Sequence, residues 1–176
     1  MAGDWTARVG ANCTVRSIQP EEWRHYRDLR LRALKDSPDA FGSTYAEAKR
    51  YSVSRWKSRV SGLSSETDLP LFAAHDGRLV GLAWGKFESP GEPAAHLFQM
   101  WVAPEARGLG IGRWLVESVI DWAKSNGARS LELAVTVGNT GARRLYESAG
   151  FEPVGDPVPL RPGSDLLEQN MVLDLT

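Results

Sequence analysis

Between residues 95 and 126 the chain passes from extended to helical backbone across a short turn punctuated by glycine. "AHLFQMWV" (95–102) reads as a strand, and about 110–126, with "RWLVESVIDWA" at its heart, reads as a long amphipathic helix. "APEARGLGIG" joins them; Pro104 ends the strand's ladder, and Gly108, Gly110 and Gly112 carry the turn. Glycine inside a helix costs about 1 kcal/mol relative to alanine, so it is a poor residue with which to open one. At a strand-to-helix turn several N–H groups lack intrahelical partners and converge with the positive end of the helix dipole, which makes an anion site. Bare backbone lets phosphate oxygens approach, and Arg107 and Arg113 flank the turn to add charge-assisted bonds. By themselves the glycines read better as a tight turn than as an anion site. Leu115 stands where a G-x-G-x-x-G fingerprint needs its third glycine, and no GK[ST] follows, so dinucleotide and triphosphate loops are both excluded.

The rest of the chain sets the fold class. "CTVRSI" (13–18) alternates like a strand, and "QPEEW" then opens a helix that places Trp23, Tyr26, Leu29 and Ala33 on one face. "AEAKRYSVSRWKSRVSG" predicts a second helix. "LPLFAAH", the pair Asp76-Gly77 and "RLVGLAWGKFE" form a hairpin signature, since the turn pair supplies positive φ. "SPGEPA" (89–94) turns into the strand at 95–102, and Gly127 caps the long helix. "SLELAVTV" (130–137) is a further strand; Asn139 begins a helix that Gly150 closes, and "FEPVG" and "LEQNMVLDL" read as closing strands. Residues 1–12 are polar and are expected to be a loose tail before a single domain at 13–176. The order predicts a mixed α/β domain.

Composition narrows the function. A net charge of -1 and a pI near 6.3 give no global attraction to nucleic acid or to an anionic membrane. No apolar run reaches membrane-spanning length, and the N-terminus lacks the apolar core of a signal peptide. The single cysteine, Cys13, leaves no intrachain disulfide and no cysteine cluster for a metal, which fits a cytoplasmic chain.

A second motif decides between turn and anion site. "VGNTGARRLYESAGFEPVG" together with "MWVAPEARGLGIGRWL" resembles the GNAT superfamily of acyl-CoA-dependent N-acetyltransferases. The resemblance lies in Arg107-x-x-Gly110-x-Gly112 and in the run of Asn139, Ala142, Leu145, Tyr146, Gly150 and Phe151. The motifs cover about 95–155, and the element order fits the family over 13–176.

The resemblance implies a mainly antiparallel central sheet flanked by helices. In it the family's fourth and fifth strands, here 95–102 and 130–137, splay apart to admit acetyl-CoA. Backbone at Met100, Trp101 and Val102 would pair with the pantetheine arm, and Gly108, Leu109, Gly110, Ile111 and Gly112 would hold the pyrophosphate beside Arg107 and Arg113. Asn139 would contact the pantetheine or simply cap its helix, and Arg143, with Arg144, would reach the nucleotide phosphate or face solvent. Tyr146 matches the acid that protonates the leaving thiolate, a sensible transfer from a phenol of pKa about 10 to a thiolate of about 8.5. Where many relatives carry a glutamate base, this chain has His96, with Glu132, Glu88 and Glu92 as rival carboxylates. The implied reaction is direct transfer of acetyl to a primary amine, with no metal. The expected acceptor is a small molecule, an amino compound or antibiotic; a protein N-terminus or lysine and a noncatalytic acyl-CoA-binding module are the alternatives, and a homodimer is an expectation. Acceptor-site candidates are Trp23, Tyr26, Phe41, Tyr45, Trp56, Trp84, Phe87 and the segment "PVPLRPGSDLLEQ".

Overall fold

The structure, a computed structural model, describes residues 5–8, 10 and 12–176. Its strands are β1 (Thr6–Arg8), β2 (Cys13–Ser17), β3 (Asp68–His75), β4 (Arg78–Lys86), β5 (Ala94–Val102), β6 (Ser130–Thr136), β7 (Glu152–Pro153), β8 (Val158–Pro159) and β9 (Leu167–Asp174). The α-helices are α1 (Trp23–Asp36), α2 (Tyr45–Lys49), α3 (Val53–Val60), α4 (Ile111–Ser125) and α5 (Thr140–Ser148). One nine-stranded sheet runs β1-β2-β3-β4-β5-β6-β9-β7, with β8 on β9. Every pairing is antiparallel except β5 with β6. The mixed α/β, mainly antiparallel expectation holds.

Two local expectations change. Thr6–Arg8, inside the stretch expected to be a loose tail, pairs with Thr14–Arg16 as an edge strand; residues 1–4, 9 and 11 of that stretch lie outside the described residues. The single helix expected at 46–62 is two. Thr44 and Glu47 cap α2 reciprocally, and the Ser52 hydroxyl accepts from the Arg55 N–H to start α3 afresh.

β4 is the centre of the core, because successive side chains point to opposite faces and both faces are covered. Residues 80–85 are all buried. Trp84 meets Tyr26 of α1 edge-on at 5.7 Å, while on the other face a Cβ on Gly85 would lie 2.8 Å from the Trp122 ring of α4. The hairpin between β3 and β4 turns at Asp76 (φ 49) and Gly77 (φ 74), as that pair requires. Among the described residues no helix is long and apolar enough to cross a membrane.

Candidate active site

β5 and β6 pair at Ala94↔Ser130, Ala95↔Leu131 and His96↔Glu132, and then part, although the strands continue to Val102 and Thr136. The cause lies on the other edge of β5. Against β4, Leu82 pairs with Trp101 but Trp84 pairs with Phe98, so Gln99 and Met100 together oppose Ala83. Such an extra residue kinks the strand that carries it. Gln99 sits at φ 53, a strained value for a side chain with a Cβ, and the Tyr26 hydroxyl holds it by donating to Gln99 Oε1 at 2.8 Å. The bulge therefore swings the second half of β5 away from β6 and leaves a wedge.

A cavity of about 610 Å³ fills the outer part of the wedge. Met100, Trp101, Val102, Arg107, Gly108, Gly110, Ile111, Gly112, Arg113, Asn139 and Tyr146 all line it, as do Ala106, Gly141, Ala142 and Leu145. Gly108 and Gly110 have φ of 80 and 82, which reverses the chain into α4. Gly112 has a different reason to be bare: a Cβ there would stand 3.1 Å from Leu145 Cδ2 and 3.4 Å from Met100 Cε. The N–H groups of Ile111, Gly112 and Arg113 precede the first intrahelical bond, from Trp114 N–H to Gly110 O, and so the dipole end of α4 faces the cavity.

Three residues expected at this site stand outside the cavity. Leu109 is exposed on the rim of the turn, Arg143 is drawn onto its own helix by Glu147 at 2.8 Å, and Arg144 is exposed. Arg107 and Arg113 line the cavity but already hold partners. Arg107 donates to Val102 O at 3.0 Å and to Asp36 at 2.7 Å, and Arg113 to Glu117 at 2.7 Å. Burial pushes the Asp36 carboxyl up, but hydrogen bonds from Trp101, Ser37 and Arg107 outweigh it and hold the group below the usual range. Asn139 Oδ1 accepts from Ala142 N–H at 3.2 Å, so it caps α5 at the cavity wall.

A second cavity of about 650 Å³ lies on the inner side, and Ala40, Met100 and Tyr146 line both. Tyr146 is buried against Phe151, and burial pushes its phenol well above the ordinary value, so it carries its proton throughout the physiological range. Of the residues expected at the acceptor site, Phe41, Trp84, Leu160 and Glu168 line this cavity. Trp23, Tyr26, Trp56 and Phe87 belong instead to the core, and Tyr45 packs against it. Aromatics at helical spacing satisfy packing first, which is why that pattern over-predicts pocket residues.

His96 lies at the paired end of β5 and β6, stacked on Phe98 and 4.0 Å from Glu132, and it lines neither cavity. Neither do Glu132, Glu88 and Glu92. The carboxylates that do face the inner cavity are Asp68 and Glu168. Asp68 is engaged by Trp84 Nε1 at 3.1 Å and by the Thr67 hydroxyl at 2.8 Å. Burial raises the Glu168 carboxyl. Position 168 carried no signal beyond its place in the segment before the last strand.

The larger omission is Arg30. It lies four residues after Tyr26 and three before Ala33, on the apolar stripe of α1, where a charged side chain is out of pattern. It is 5% exposed, lines the inner cavity, and stacks on Phe41 with its guanidinium carbon 4.5 Å from the ring centre. Its Nη1 has no hydrogen-bond partner among the described residues, and burial lowers the group to about 10. Burying an uncompensated charge costs several kcal/mol, so this arginine needs a reason to be there.

Comparisons with known proteins bear on the family and the fold. The sequence model of the Acetyltransferase (GNAT) family matches residues 22–151. A mycothiol acetyltransferase of Stackebrandtia nassauensis is 29% identical over 150 residues, covering 84% of this chain; the chain spans 47% of that relative's length. A GNAT-family acetyltransferase from Streptococcus pneumoniae superposes with a TM-score of 0.79 at 20% identity, over 92% of this chain and 99% of that one. A putative acetyltransferase from Salmonella typhimurium, solved with its cofactor acetyl-CoA, gives 0.77 at 19% identity over 94% and 95%. At those identities the structures speak for the fold. The family match across most of the length, on a sheet wedged open beside a glycine turn, makes this chain a member of the GNAT acetyltransferase family.

Proposed function

We propose that the chain transfers the acetyl group of acetyl-CoA to the primary amine of a small molecule, within a ternary complex. The observation that carries this reading is the meeting of two cavities at Tyr146, Met100 and Ala40. The outer one offers what a pantetheine pyrophosphate needs: an unpaired strand edge, a helix N-terminus and a glycine turn. The inner one has the volume of a small-molecule site rather than the shape of a flat protein surface. Acetyl-CoA supplies a thioester carbonyl with a thiolate leaving group. The chain's own work is to hold the amine beside it, to take one proton from nitrogen and to give one to sulfur.

Tyr146 Oη–H is the proton donor in this proposal, since its proton is retained and it stands where the cavities join. Removing a proton from a lysine-like amine of pKa about 10.4 at pH 7 costs about 4.6 kcal/mol, so an acceptor group is useful. Glu168 faces the cavity and, raised by burial, is a better base than an ordinary carboxylate. His96 stands as the rival base, acting from outside the cavity. A thiol-release assay with acetyl-CoA across amines, peptides and aminoglycosides tests the reading. Turnover confined to peptides would replace it with a protein acetyltransferase, and tight acetyl-CoA binding without any turnover would replace it with a binding module.

A further inference from the structure

Arg30 is not used by the transfer chemistry, yet it occupies the inner cavity at a position where the helix calls for an apolar side chain. Among the described residues no carboxylate is paired with it. The charged and polar groups that act on it are Tyr26, Tyr51 and Arg59, and Arg59, a second cation, lines the same cavity. Phe41 covers one face of the guanidinium, and Nη1 is buried without a hydrogen-bond partner at the wall of the cavity that Arg30 lines. In-plane donation from two nitrogens is how arginine recognises a carboxylate. On the same cavity Glu168 supplies an opposite charge, so the walls present a cation and an anion to one bound molecule. Trp84, Phe98, Leu63, Leu97 and Leu160 make the apolar part of the lining, and Asp68, which Trp84 and Thr67 already engage, stands with Lys86 on the same cavity.

We infer that the acceptor is a free amino acid with an apolar side chain, whose carboxylate is bound by Arg30 while its amine lies toward Glu168 and Tyr146. This rests on the small-molecule reading above. It assigns to Arg30 the anchoring of substrate, and to the apolar walls the selection of its side chain.

Matched pairs test it directly. L-leucine, L-methionine and L-phenylalanine are each titrated calorimetrically into the protein beside the corresponding amide, which keeps the amine and side chain but removes the charge. At least one acid is expected to bind about tenfold or more tightly than its amide. Arg30→Met is expected to abolish that preference while leaving amide affinity within about threefold. Equal binding of acid and amide by the unaltered protein, absence of binding by all three acids, or a preference that survives in Arg30→Met each overturns the inference. The comparison on the unaltered protein stands even if the variant fails to fold. Thiol release separates the two readings. Acid-selective binding without turnover on any amine would overturn the transferase proposal and leave the carboxylate site standing. Turnover indifferent to the carboxylate would do the reverse.

Discussion

In the proposed mechanism one environment sets two opposite roles, for Tyr146 and Glu168. Burial raises both groups, which keeps the phenol protonated and makes the carboxylate more willing to accept a proton. Tyr146→Phe removes the donor without changing the packing on Phe151, so kcat in a thiol-release assay is expected to fall about 100-fold with acetyl-CoA affinity retained. A wild-type rate would return Tyr146 to a packing role. Glu168→Gln should act on activity and stability in opposite directions. A carboxyl whose folded pKa is raised binds more protons when folded, so its contribution is favourable below the unfolded pKa and turns to a penalty as pH rises through the folded value. The amide escapes that penalty. The variant is therefore expected to melt higher at neutral pH while losing about tenfold or more in kcat/KM and the acid limb of the pH–rate profile. His96→Ala is expected to keep that limb; if it is the histidine variant that loses it, His96 is the base.

At the scale of elements, the glycines that look alike in sequence do different work. Gly110 reverses the chain into α4, whereas Gly112 and Gly85 are sites of close approach. A valine at 112 would push α4 from Leu145 and Met100 at the mouth of the outer cavity. Equilibrium dialysis is expected to show weaker acetyl-CoA binding by a folded Gly112→Val protein, and unchanged affinity would remove the anion-site reading of the turn. A valine at 85 would instead strike Trp122 and Val119 in the core, far from the donor cavity. Urea denaturation is expected to show a loss of about 1–3 kcal/mol, the usual cost of overpacking. The stretch at 46–62 breaks into two helices for an element-scale reason: Ser52 competes for backbone as a cap, and periodicity alone does not see caps.

At the scale of the molecule, Asp36 ties three distant pieces together. It ends α1, accepts from Trp101 near the end of β5 and from Arg107 on the glycine turn, and so links the first helix to β5 and to that turn. Its folded pKa is depressed, so the stability it contributes is fully present above the unfolded pKa and is lost as pH falls through the folded value. Asp36→Asn is therefore expected to melt lower than the unaltered chain at pH 7 and to converge with it in acid, as followed by circular dichroism. A gap that stayed constant down to low pH would show that the tie is not electrostatic.

Most elements, and the glycine turn of the proposed donor site, were legible in the sequence because their causes are local. The turn at Asp76-Gly77, the caps at Asn139 and Gly127, and the run from Arg107 to Gly112 follow from φ, hydrogen-bond arithmetic and helix dipoles within a few residues. What only the tertiary structure decided depends on neighbours remote in the chain. His96 and Glu132 meet where the strands still pair, and so fall short of the cavities, whereas Glu168 comes in from the last strand. The bulge at Gln99 is held by Tyr26, a residue from the first helix. Arg30 stands out of pattern on the apolar stripe of α1, but periodicity does not say whether such a charge is buried or paired. What makes it costly, and therefore informative, is the absence of a partner in space, which only the tertiary structure shows.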